Sequence, residues 1–251
     1  MGMLSIDLNC DMGEGVAGED LLMPYISSAN IACGGHAGDE DTMRRTIDHA
    51  LKYGVAIGAH PSYPDRENFG RVDMVENGLD LSELLDTLLD QLYVFQKIVR
   101  ECGAVLHHIK PHGALYNRAA KDAMLSAVIC QAVTEAGNAM LLYGLSGSIT
   151  ERIAASFDIR FYHEVFADRT YQSDGSLTPR SKPDALIADS KKACAQILQM
   201  LSKKIVTSLQ GDDIPLRADT ICIHGDGAHA LEFAKHIHQM LKTNGYAINT
   251  V

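Results

Sequence analysis

The sequence has no tryptophan, no run of lysine and arginine, no paired cysteines and no long apolar stretch. The first absence says little, but each of the others excludes a class of function. Binding along a nucleic-acid backbone needs clustered Lys and Arg to neutralise phosphates. Here 32 acidic residues stand against 22 basic ones, for a net charge of −10, so no nucleic-acid partner is expected. Small anions remain within reach, because a few local Arg, Lys and backbone N–H groups suffice to hold them.

The six cysteines, Cys10, Cys33, Cys102, Cys130, Cys194 and Cys222, form no C-x-x-C pair. In a chain of 251 residues that pattern predicts free thiols in a reducing compartment, buried as small apolar filler. Asp7 and Asp11 interrupt the start too early for a signal peptide, and no apolar run is long enough to span a bilayer. A cytoplasmic location without membrane contact is expected. Also missing are G-x-x-x-x-G-K-[ST], G-x-G-x-x-G after a strand, and H-E-x-x-H.

What the chain does contain is one phrase repeated: a short apolar strand, a turn and a histidine. It occurs at Ala29–Asp39 (ANIACGGHAGD), Val55–Pro61 (VAIGAHP), His108–Gly113 (HIKPHG) and Ile221–Asp226 (ICIHGD). A fifth strand end, Ile6–Gly15 (IDLNCDMGEG), offers carboxylates instead. In α/β folds polar groups at the carboxyl ends of parallel strands converge on one rim, where ligands bind.

Strands are expected at 4–10, 28–34, 55–59, 104–109, 140–143, 159–166 and 220–223. Helices are expected at 21–24, from Asp39 to Gly54, at 81–102, 122–135 and 149–156 (capped by Ser146), from Pro183 to about Leu201, and at 228–242. Residues 110–117 read as a loop, and 205–216 as a small hairpin. Helix–Gly–strand punctuation at Gly54, Gly103 and Gly137 argues for parallel strands in one sheet. The expected architecture is α/β: a single-domain (β/α)7 TIM-like barrel over residues 1–251. In an open sheet the polar ends of first, middle and last strands would lie too far apart to share a site.

Asp7, Asp11, Glu14, His36, His60, His112 and His224 are the candidate acid, base or metal-binding groups, since imidazole and carboxylate suit Zn, Mn or Fe and also proton transfer. Asp11, His36 and His60 are the metal candidates. Lys110, at a strand end beside histidine, suits a phosphate or carboxylate. Arg66, Arg71 and Arg169 are candidate anion clamps, and Tyr63, Asp65 and Phe69 sit with two of them in a long loop. A loop of that length inside a compact domain is usually functional or disordered.

The phrases Asp7–Glu14, Ser28–Asp39, Gly58–Asp65, Phe69–Arg71, Lys110–Asn117, Phe166–Tyr171 and Cys222–Asp226 closely resemble, in the same order, the LamB/YcsF family. Two positions depart from its pattern: Gly35 stands where an aromatic residue is expected, and Val72 where a second Arg is common. The resemblance implies a barrel of the glycoside hydrolase/deacetylase type and a role as the A subunit of ATP-dependent 5-oxoprolinase. That enzyme converts 5-oxo-L-proline, ATP and water to L-glutamate, ADP and phosphate, with the B and C subunits as partners. It also implies ATP with Mg2+ as co-substrate; the imidazoles and carboxylates named above allow a divalent metal on the protein as well, and a homo-oligomer is a further option.

On this reading Asp7, Asp11, His60, Lys110 and His112 are catalytic. Asn9, Glu14, Asn30, Arg71, Tyr116, Glu164, Arg169 and His224 contact substrate or nucleotide. Two other readings fit the same residues: a metal-dependent amide or sugar hydrolase, and a non-catalytic binding subunit.

Overall fold

The computed structural model describes residues 4–137, 141–225 and 230–250. Seven parallel strands close into a barrel: β1 (Leu4–Met12), β2 (Ser28–Ala32), β3 (Ala56–His60), β4 (Leu106–Ile109), β5 (Leu141–Leu145), β6 (Arg160–Phe166) and β9 (Thr220–His224). Closure comes from β9, which pairs with β6 on one side and with Asp7–Asp11 of β1 on the other. Between β6 and β9 lies an antiparallel hairpin, β7 (Ile205–Thr207) and β8 (Asp213–Pro215). A short β10 (Tyr246–Ile248) adds to the lower half of β1, parallel, at Leu4–Ile6. The expected Met140 strand start, Ala228 helix start and Asp226 lie outside the described residues.

A 3-10 helix, Glu19–Tyr25, follows β1. The outer layer consists of α1 (Glu40–Tyr53), α2 (Leu81–Glu101), α3 (Gly113–Ala119), α4 (Ala123–Ala136), α5 (Ile149–Ser156), α6 (Ser190–Lys203) and α7 (Ala230–Thr243). Asp39, Asp80, Asp122 and Asp189 start α1, α2, α4 and α6 by accepting backbone N–H groups of the first turn, each worth about 1 kcal/mol. On α2, Leu84, Leu88, Leu92, Phe95 and Val99 recur at helical spacing and are buried against the barrel. Burying each contributes about 1.5–3 kcal/mol. No helix among the described residues is long and apolar enough to cross a membrane.

Several expectations are corrected. Pro183 does not open a helix: α6 begins at Ser190, where the Asp189 carboxylate supplies the cap that proline cannot. Ser146 does not cap α5, because its hydroxyl accepts the Arg217 N–H instead, and Ser148 takes the cap position without a side-chain bond. Residues 110–117 are not all loop, since the chain coils into α3 directly after His112. The strand β10 was not expected: it is short and only half-buried, so its residues show little pattern.

The barrel interior is polar. Side chains two apart on a strand share a face, so Asp7, Asn9 and Asp11 of β1 line the inside while Leu8 and Cys10 meet the helices. Each interior group is tied to another strand. Asn30 donates to both Asn9 Oδ1 and Asp11 Oδ1 at 2.8 Å. His108 Nε2 lies 2.7 Å from Asn30 Oδ1 and its ring stacks on Tyr143. Gly58 makes room for that ring, for a Cβ there would stand 2.1 Å from His108 Nε2.

Candidate active site

Every barrel strand delivers residues to its carboxyl end, and at that end a cleft of about 710 Å³ opens. Asp11, Glu14, His60, Lys110, His112 and His224 line its floor. Its walls carry Phe69, Arg71, Tyr116, Phe166, Arg169 and Arg180.

At the floor Glu14, His36, His60 and His112 each present one ligand atom, all within 4.8 Å of one another. Glu14 Oε1 is 3.0 Å from His36 Nε2, 3.6 Å from His112 Nδ1 and 4.0 Å from His60 Nε2. The His36 and His112 rings stack at 3.7 Å, with the Phe69 ring edge-on to both. The second ring nitrogens of His60 and His112 fix their tautomers. His60 Nδ1 lies 2.7 Å from the Lys110 carbonyl and His112 Nε2 lies 3.0 Å from the Phe69 carbonyl. A carbonyl only accepts, so both nitrogens carry hydrogen.

That leaves two imidazole lone pairs, His60 Nε2 and His112 Nδ1, facing each other at 2.9 Å. Such a gap calls for a cation between the two nitrogens, a proton or a metal ion. Outer carbonyls that orient ligating imidazoles are the usual support of a metal centre. The donor set, three imidazoles and one carboxylate, suits a divalent transition metal. His36 Nδ1 is buried without a partner, and burial holds His36 and His112 below the ordinary histidine range, keeping them neutral as ligands must be.

Asp11 connects this cluster to the interior network. Its Oδ2 lies 3.4 Å from His60 Nε2 and its Oδ1 lies 2.8 Å from Lys110 Nζ. Burial pushes the Asp11 carboxyl up, but His60 and Lys110 outweigh it and hold the group well below the usual carboxylate range. Lys110 is buried between Asp11 and Glu164, 2.8 Å from each. Against the pull of desolvation these acids, with the Cys222 sulfur, hold its ammonium charged. Cys222 accepts from Lys110 at 3.2 Å, and burial raises its thiol, so it stays protonated. All six cysteines are free.

Not every expected residue reaches the cleft. Asp7 sits below the floor, wholly buried, accepting from Ser27, Ser28 and Thr220. Burial raises its carboxyl, and its oxygens are occupied by hydroxyls. Asn9 and Asn30 hold the network rather than line the cleft. Glu164 is buried beside Lys110, with Oε2 unpartnered. Tyr63 belongs to the core, and Arg66 straps the 34–38 turn through the Gly34 and Gly38 carbonyls. Asp65 caps its own loop through Asn68.

At Gly35 a Cβ would stand 2.5 Å from Gln91 Oε1, which accepts the Ser62 N–H, so a larger residue there would have to displace the Gln91 side chain. Three contributors were missed, namely His108, Asp168 (2.8 Å from His224 Nδ1) and Arg180. The signal for His108 was its spacing of two from Lys110.

Comparison with known proteins agrees with this geometry. The chain is 49% identical over 251 residues to the 5-oxoprolinase A subunit of Brevibacillus brevis, with 98% of each chain covered. It is 48% identical over 250 residues to the protein of the same name from Geobacillus kaustophilus, covering 98% of this chain and 96% of the relative. The structure superimposes on a lactam utilization protein from Thermus thermophilus with a TM-score of 0.91 and 34% identity, covering 99% and 100% of the two chains. The peptidoglycan deacetylase PdaC from Bacillus subtilis shares the fold alone, at a TM-score of 0.51 and 15% identity, over 100% of this chain and 89% of that one. The LamB/YcsF family model matches residues 6–251, and the chain belongs to the LamB/YcsF family.

Proposed function

We propose that this chain is the A subunit of an ATP-dependent 5-oxoprolinase and carries the groups that open the lactam ring, working with the B and C subunits. The observation that carries the reading is the convergence of Asp11, His60, Lys110 and His112 on one cleft floor, together with the name its relatives bear.

A lactam carbon is a poor electrophile, and transfer of the ATP γ-phosphoryl group to the amide oxygen activates it. Water then adds to that carbon, the C–N bond breaks with protonation of nitrogen, and the resulting acyl phosphate yields glutamate and phosphate with a second water. In this scheme the Asp11 carboxylate or a floor imidazole takes the proton of the attacking water. Lys110 stabilises negative charge on the former carbonyl oxygen, and such preorganised electrostatics is usually the largest catalytic term. Glu14, His36, His60 and His112 would hold a divalent metal, which when bound polarises a carbonyl or lowers the pKa of a water.

The test is glutamate release from 5-oxoproline by the three subunits mixed, with and without ATP. Asp11→Asn and His60→Gln should each lower turnover by about two orders of magnitude or more in a folded protein. Full turnover by either variant, or by B and C alone, would refute the proposal. The histidine cluster also favours a second reading, a metal-dependent hydrolase, which predicts release without ATP.

A further inference from the structure

Outside the floor, the wall formed by the connection from β6 to α6 holds two arginines that the chemistry above does not use fully. Residues 167–189 fold back on themselves through the bridges Arg169↔Leu186 and Tyr171↔Leu177. Arg169 is only 4% exposed, and its guanidinium donates to the Thr178 and Ala185 carbonyls. Those bonds use Nε and one N–H of Nη2, and the planar fork has further donors in a geometry that matches an oxyanion. Arg169 and Arg180 both line the cleft. Burial and then the charge of Arg180 press the Arg169 guanidinium down to about 10, so the two cations stand close enough to repel. Their acidic neighbour Asp168 lies 2.8 Å from His224 Nδ1 and, against the pull of burial, is lowered by His224 first and then by both arginines, so one carboxylate stands against two guanidinium groups there. Nearby, Tyr116 lines the cleft and packs edge-on against Phe166, with its buried hydroxyl beside the Glu164 carboxylate.

Resting on the reading of the cleft as the substrate site, we propose that Arg169 and Arg180 form an oxyanion subsite on its wall, which receives the charged end of the ligand, a carboxylate or a phosphate. The cleft is then polarised along its length. At the floor the Lys110 charge is balanced by Asp11 and Glu164, whereas the arginine wall attracts an anion, so an anionic lactam enters with its ring carbon toward the floor. Size agrees with an elongated or phosphorylated ligand. At about 30 Å³ per water the cleft takes roughly two dozen waters, far more than a single lactam ring displaces.

The test is calorimetric titration of the full chain with 5-oxoproline, with inorganic phosphate, and with 2-pyrrolidinone, the same ring without its carboxylate. Arg180→Gln should weaken 5-oxoproline or phosphate at least tenfold, leave 2-pyrrolidinone and the thermal midpoint unchanged, and be largely rescued by Arg180→Lys. Loss confined to 5-oxoproline identifies the carboxylate as the recognised group, and loss confined to phosphate identifies the phosphoryl group. In the three-subunit assay the same variant should raise KM with kcat nearly constant. Wild-type affinity of Arg180→Gln for both anions, equal weakening of 2-pyrrolidinone, or no anion binding by the wild type would overturn the subsite. A complex that releases no glutamate while the titrations behave as expected would overturn only the assigned reaction.

Discussion

Lys110 Nζ lies 2.8 Å from Asp11 Oδ1 and 2.8 Å from Glu164 Oε1, with all three groups inside the barrel. One cation therefore serves two buried acids. Removing it leaves charge without compensation, which costs about 3–5 kcal/mol. Lys110→Met should lose that much in urea unfolding, and adding Asp11→Asn should return part of it. A loss below about 1 kcal/mol would mean that the acids find other partners.

The opposed lone pairs of His60 and His112 make a different prediction. Dialysis against Zn2+ or Mn2+ should leave one ion per chain by elemental analysis. At a free concentration a hundredfold above the dissociation constant the ion should stabilise the fold by about 2.7 kcal/mol. His112→Gln should abolish both effects. Substoichiometric metal with no shift in thermal midpoint would dismiss the centre.

Stability should also fall in mild acid. Burial keeps His108 well below the ordinary histidine value, so the unfolded chain takes up a proton that the folded one refuses. The contribution is complete above about pH 6.5 and is lost as pH falls below it, at up to about 1.4 kcal/mol per unit for each such histidine. His36 and His112 act in the same direction. The lowered Asp11 carboxyl adds stability that persists until pH drops past about 3.9, so the decline between pH 6.5 and 4.5 belongs to the imidazoles. Chemical denaturation across that range should show it, and His108→Gln should flatten the slope.

Gly58→Ala should cost about 1–3 kcal/mol through overpacking, because its methyl would stand 2.1 Å from His108 Nε2. A crystal structure of the variant should show the His108–Asn30 hydrogen bond broken. An unchanged ring position would disprove the steric account.

Much of the rim was legible because glycine and proline mark strand ends, which exposed His36, His60 and His112 one by one. The polar column beneath them was less visible, although its sign was present in Asp7-x-Asn9-x-Asp11, Ser28-x-Asn30 and His108-x-Lys110. Alternation on a strand usually means one wet face, and only closure of the barrel turns that face inward. Arg180 and the fold of 167–189 escaped because two isolated bridges and the carbonyls held by Arg169 shape that segment. Such tertiary contacts leave no period in the sequence.

The pairing of β1 has a consequence for how the molecule is made. Its partners β9, along Asp7–Asp11, and β10, along Leu4–Ile6, both come from residues 220–248, and the Asp7 carboxylate takes a hydrogen bond from Thr220. The edge of β1 is thus completed by residues more than two hundred positions further along the chain, as the Asp7–Thr220 hydrogen bond shows. Ser27 and Ser28 donate to the same carboxylate from the neighbouring side, so closure of the ring supplies its last donor and carries a large loop-closure cost.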